Sequence, residues 1–184
     1  MYIYIMAESG LLASYSFPPR FALAFIAPSF IFTGIFIYKN RASEWLQNIP
    51  QQWLIYTQAF RIAVEVIFVY SVAEGILHKE ASIEGYNFDM ILGCSAPLIG
   101  LLVYKTKTLN KTHLIIWNYL GLAVLASVIF VFMSSIYKPE IYGSTTPLLP
   151  MEAFKYPYVL VAGFLMPLAV FIHVLSIVQL KKIK

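Results

Sequence analysis

Five stretches of this chain are apolar for so long that lipid, more than water, decides what it can fold into. They run from Phe21 to Tyr38, Trp53 to Leu77, Met90 to Tyr104, Leu114 to Tyr137 and Tyr158 to Leu180. A helix needs ~20 mostly apolar residues to cross ~30 Å of hydrocarbon, and most of these segments meet that length. Lipid offers no partner to backbone N–H and C=O groups, so helices satisfied within each segment are expected. Composition agrees, since 60% of residues are apolar and only 12% charged, against roughly a quarter charged in soluble domains. The expected fold is therefore all-α: an integral membrane helical bundle of five spans, forming a single membrane-embedded domain over 1–184. The third segment is short and contains Gly93, Pro97 and Gly100, so it is either a nearly upright kinked helix or irregular in its middle.

The N-terminal stretch, Met1 to Phe17, is apolar apart from Glu8 and a few small polar residues, and ends at Pro18-Pro19-Arg20. It lacks the basic start of a signal peptide. Two readings are open: an interfacial helix, or a sixth crossing left over from a longer span.

Basic residues between the segments set an orientation. Lys39, Arg41, Lys105, Lys107, Lys111, Lys181, Lys182 and Lys184 fall on one side, and Arg20, Lys79, Lys138 and Lys155 on the other. The richer side is expected to be cytoplasmic, with the C-terminus there. The acids Glu80, Glu84, Asp89, Glu140 and Glu152 are then expected in the outer loops. The net charge of +4 reflects these span-end residues and not a nucleic-acid surface. The lone Cys94 cannot form an internal disulfide.

Three short patterns carry a family resemblance: Phe60-Arg61-x-x-x-Glu65, Glu84-Gly85-Tyr86-Asn87-Phe88-Asp89, and Gly93-Cys94-Ser95-Ala96-Pro97. From Pro18-Pro19-Arg20 to His173-x-x-Ser176-x-x-Gln179-Leu180, the chain resembles an uncharacterised family of bacterial multi-pass membrane proteins. The resemblance implies a bacterial inner-membrane location and a further apolar segment before the paired prolines. It implies no activity.

The candidate site comes from charge placed inside an apolar segment. At 100° per residue Gln58, Arg61 and Glu65 share an arc of roughly 60°, a polar stripe on a helix otherwise clad in Ile, Val and Phe. A charge at mid-bilayer costs at least ~2.5–3.5 kcal/mol, so such a stripe is expected to face the bundle interior. At ~1.5 Å per residue from the cytoplasmic ends, Arg61 and His173 lie at similar depth and can meet. Ser176 shares the His173 face with Ala162, Met166 and Ala169.

Two functions fit these residues. One is a small carrier or proton-linked ligand-binding protein, with Gln58, Arg61, Glu65, His173 and Ser176 lining an internal site for a small solute or proton. The other is a non-catalytic assembly or interaction subunit, in which Arg61 and Glu65 neutralise one another and the cluster fixes helix packing. Its partner would be another membrane protein or a second copy, engaged through the Pro-rich loop from Tyr137 to Tyr158. No Ser-His-Asp order or Gly-rich phosphate loop points to an enzyme. The three histidines sit at three depths, so no shared metal or haem is expected, and no cofactor is called for.

Overall fold

The computed structural model describes residues 1–182; Lys184, counted above with the cytoplasmic lysines, lies outside them. The chain is all-helical, with 73% of it in helices and no strand among the described residues. Four helical runs are long and apolar enough to cross a membrane: Ala22–Asn40, Gln51–Ala73, Lys111–Tyr137 and Val161–Lys182. The first is peripheral, with 17% of its most apolar window buried, and the last is central, with 50%.

In chain order, α1 is Tyr2–Glu8, α2 Ala27–Asn40, α3 Glu44–Gln47, α4 Gln51–Thr57, α5 Phe60–Ala73, α6 Asp89–Gly100, α7 Lys111–Tyr137 and α8 Met166–Lys182. Wide π turns precede α2 at Ala22–Ile26 and α8 at Val161–Leu165, and a third, Leu101–Lys105, extends α6. The first two lie just before Pro28 and Pro167, which cannot donate to the preceding turn. At Pro28 the carbonyl so released, that of Ala24, receives the Tyr2 hydroxyl at 3.2 Å. One residue of α1 thereby satisfies a defect in another helix.

At ~1.5 Å per residue, the seven residues of α1 cover only ~10 Å, far short of a crossing. The N-terminal stretch instead caps one end of the bundle. Ala7 and Leu12 are buried in a cluster with Phe21, Phe25, Leu149 and Phe154. Tyr15 donates its hydroxyl to Leu149 O at 2.7 Å, and Tyr137 donates to Ser16 O at 3.0 Å. Burial, and secondarily the Glu152 carboxylate, raise the Tyr15 hydroxyl above its ordinary pKa, which keeps it a donor. The opposite end is closed by Gln179, whose Nε2 donates to Leu46 O and, at 3.4 Å, to Ile49 O.

The short third segment has a physical explanation. Gly75, at φ 69°, turns the chain after α5, and Ile76 and Leu77 donate back to Ser71 O at 2.8 and 3.1 Å. The chain that follows does not stay at the surface: Ala81, Ser82 and Asn87 are 1–3% exposed. It folds in against the middle of α5 before α6 begins, so α6 starts level with Arg61 and not beside the end of α5.

Candidate functional site

The stripe Gln58, Arg61 and Glu65 is carried by a helix that is broken at its first member. At Gln58 and Ala59 the backbone switches to bonds three residues apart: Gln58 N to Ile55 O, Ala59 N to Tyr56 O, Arg61 N to Gln58 O and Ile62 N to Ala59 O, at 3.0–3.3 Å. This tight turn separates α4 from α5. It leaves the Gln58 side chain inside the bundle, where Nε2 donates to Ala169 O at 3.4 Å and Oε1 accepts from Arg61 Nε at 3.0 Å.

Arg61 is 1% exposed, and each of its three guanidinium nitrogens has a partner. Nε donates to Gln58, Nη1 to Asp89 Oδ1 at 2.6 Å, and Nη2 meets His173 Nε2 at 2.9 Å. The Arg61–His173 contact is the one that counting helix depth anticipates.

The ion pair is with a different carboxylate from the one expected. Arg61 pairs with Asp89, not with Glu65, and Asp89, expected in an outer loop, is buried at 9% exposure. The cause is the descending segment, which brings the first residue of α6 level with Arg61. Close packing of α5 on α6 completes the approach: a Cβ added at Gly93 would stand 3.0 Å from Arg61 Cβ and 3.2 Å from Ile62 N. Glu65 serves the same segment from below. Its Oε1 accepts from Ile83 N at 2.5 Å and its Oε2 from Asn87 Nδ2 at 3.4 Å, while Asn87 Oδ1 accepts from Asp89 N at 3.0 Å.

On the other side of Arg61 the network runs along α7 and α8. His173 Nδ1 lies 2.8 Å from Asn118 Oδ1, and Asn118 Nδ2 donates to Leu114 O and to Ser176 Oγ at 2.8 and 3.0 Å. Ser176 donates to Gln51 Oε1 at 3.0 Å, and Gln51 Nε2 donates to Gln179 Oε1 at 2.5 Å. These directions decide the histidine tautomer. Asn118 spends its amide hydrogens elsewhere, so its oxygen receives Nδ1–H, and Nε2 is left as the acceptor for Arg61, which can only donate. His173 is thus a neutral imidazole in this arrangement. It is seated against Gly121, where a Cβ would come within 2.3 Å of its Cε1 and Nε2, and edge-on to Trp117 with ring centroids 5.5 Å apart.

All five residues anticipated from sequence, Gln58, Arg61, Glu65, His173 and Ser176, therefore belong to one buried hydrogen-bonded chain. Sequence reasoning missed Gln51, Asn87, Asp89, Asn118 and Gln179. A single Asn in an otherwise apolar α7 segment was the available signal for Asn118. Among the described residues no buried side-chain N or O lacks a partner, and no three His, Cys, Asp or Glu side chains stand together as a metal site would require. Asp89 is the network's most open charged member, with 12% of its side chain exposed, beside a cavity of about 30 Å³ walled otherwise mainly by Phe60, Val64, Phe68, Leu125 and Met166. No family model, curated protein or solved structure matches the chain.

Proposed function

We propose that the chain is a multi-pass protein of a bacterial inner membrane, crossing it five times with its C-terminus cytoplasmic. In that setting it acts as a non-catalytic assembly or interaction subunit whose polar cluster is structural. The observation that carries the second statement is the state of Arg61: buried, and with every guanidinium nitrogen committed to a protein partner. Three of its five N–H donors are engaged in this way, and at 1% exposure the other two are closed off from solute. The membrane setting is supported by the apolar surface, on which Ile31, Phe32, Leu120 and Phe130 are each more than half exposed, an arrangement that water penalises and lipid accepts. The partner-facing surface is assigned to the loop after α7, where Ile141 is 58% exposed.

A carrier for a small solute or proton is the second reading, and Asp89 is what favours it. Its partly exposed carboxylate, beside a cavity, is the place where a solute would enter the network. The two readings separate in liposomes loaded with a pH-sensitive dye. The subunit reading expects no proton flux above protein-free vesicles, with or without added solutes. A flux in the wild type that His173→Phe abolishes, in protein that still folds, would establish the carrier instead.

A further inference from the structure

Outside the polar network, a cavity of about 80 Å³ lies beneath the cap formed by the N-terminal stretch and the loop after α7. Its wall is hydrocarbon, contributed by Phe68, Phe132, Met133, Leu149, Phe154 and Met166 among others. Two hydroxyl-bearing residues, Ser71 and Tyr158, line it too, and Ser71 spends its hydroxyl hydrogen on Ile67 O at 2.7 Å. A water needs only ~10–15 Å³ of such space, yet it also needs two to four polar partners, and a cavity without them stays dry. The space suffices for water and the chemistry does not. What suits it is an apolar group.

One wall of the cavity is a residue of the bundle's outer surface. Ile67 lines it and is 42% exposed, between Val66 at 47% and Val69 at 43% on the outward side of α5. If the helices cross a bilayer as proposed above, that surface meets lipid tails. We propose that this cavity binds the last few carbons of one hydrocarbon chain of a membrane lipid, which enters sideways past Ile67 and ends under the cap. The claim rests on the membrane reading. The same geometry sets where the chain stops: past Phe68 and Met166 lies the smaller cavity that Asn87 and Asp89 line, and hydrocarbon there would strip those polar groups of contact with water.

The test is native mass spectrometry of protein purified in mild detergent and washed free of loosely held lipid. One phospholipid per chain is expected on the wild type. Ala162→Leu, which adds bulk to the cavity wall, should lower that occupancy at least ten-fold, whereas Leu120→Ala, on the exposed face of α7, should leave it unchanged. A wild type without lipid, or equal retention in Ala162→Leu, overturns the site. Should Ala162→Leu not fold, wild type reconstituted with a phospholipid carrying a photoreactive acyl chain gives the answer. Adducts on Phe132, Met133 or Phe154 support the site, and adducts confined to exposed positions such as Leu120 and Phe130 overturn it. Alkaline extraction of the source membranes separates the two levels of claim. A chain released to the supernatant fails the membrane reading itself, while a retained but lipid-free chain fails only this site.

Discussion

Burying a guanidinium is costly, and what makes Arg61 tolerable is the number of groups that share it. Asp89 balances the charge, and Gln58 and His173 each accept from one of the other two guanidinium nitrogens. Taking one member of a buried pair away leaves the other uncompensated, at a cost of ~3–5 kcal/mol, whereas removing both removes the desolvation along with the attraction. Arg61→Leu and Asp89→Leu should each lower stability by about that amount, and the double variant should lose much less than their sum. The matching cycle of Arg61 with Glu65 should show a smaller coupling, because those two side chains serve different partners. Unfolding of purified protein in mild detergent measures both cycles. Simple additivity for Arg61 and Asp89 would show that the ion pair contributes nothing of its own.

At the scale of elements, helix periodicity and length account for most of what sequence could say. The apolar runs after Phe21, Trp53, Leu114 and Tyr158 end within a few residues of the observed helices, because a helix rises a fixed ~1.5 Å per residue and its ends follow where the apolar run stops. Depth counting brought Arg61 and His173 together for the same reason. Asp89 escaped because that counting assumes every helix starts at an end of the bundle, and α6 starts level with Arg61. Nothing in a one-dimensional pattern shows that the segment after Gly75 dives, since the groups that hold it down, Glu65 and Asn87, act across a separation of about twenty residues. Glu65 should therefore govern this segment more than it governs Arg61. Glu65→Ala leaves the Ile83 amide without its acceptor and the Asn87 side chain with only Ala81 O, a loss of ~1–3 kcal/mol of local stability. Hydrogen exchange over 79–88 should speed up accordingly, and less so in Glu65→Gln, which keeps an acceptor oxygen. Unchanged exchange in Glu65→Ala would mean that other contacts hold the segment in place.

For the molecule as a whole, hydrogen bonds sort the connecting segments into two ends, independently of their charge. Tyr15 with Leu149, Tyr137 with Ser16, and the Tyr86–Tyr142 ring contact gather 1–20, 74–88 and 138–157 at one end. Gln179, reaching Leu46 and Ile49, joins the 41–50 segment to the end of α8. The charge bias follows the same division: among the described residues seven lysines and arginines lie at the α8 end and four at the capped end. Two unrelated properties thus divide the chain alike, and the positive-inside rule turns the division into a direction across the membrane. In a Cys94→Ala background, single cysteines at Glu84 and Ser144 should react with an impermeant maleimide added to intact cells. A cysteine at Lys107 should react only once the membrane is opened. Glu84 is exposed and Ser144 half-buried at the capped end, so neither is masked by full burial, and labelling at Lys107 in closed cells with silence at Glu84 and Ser144 would invert the whole assignment.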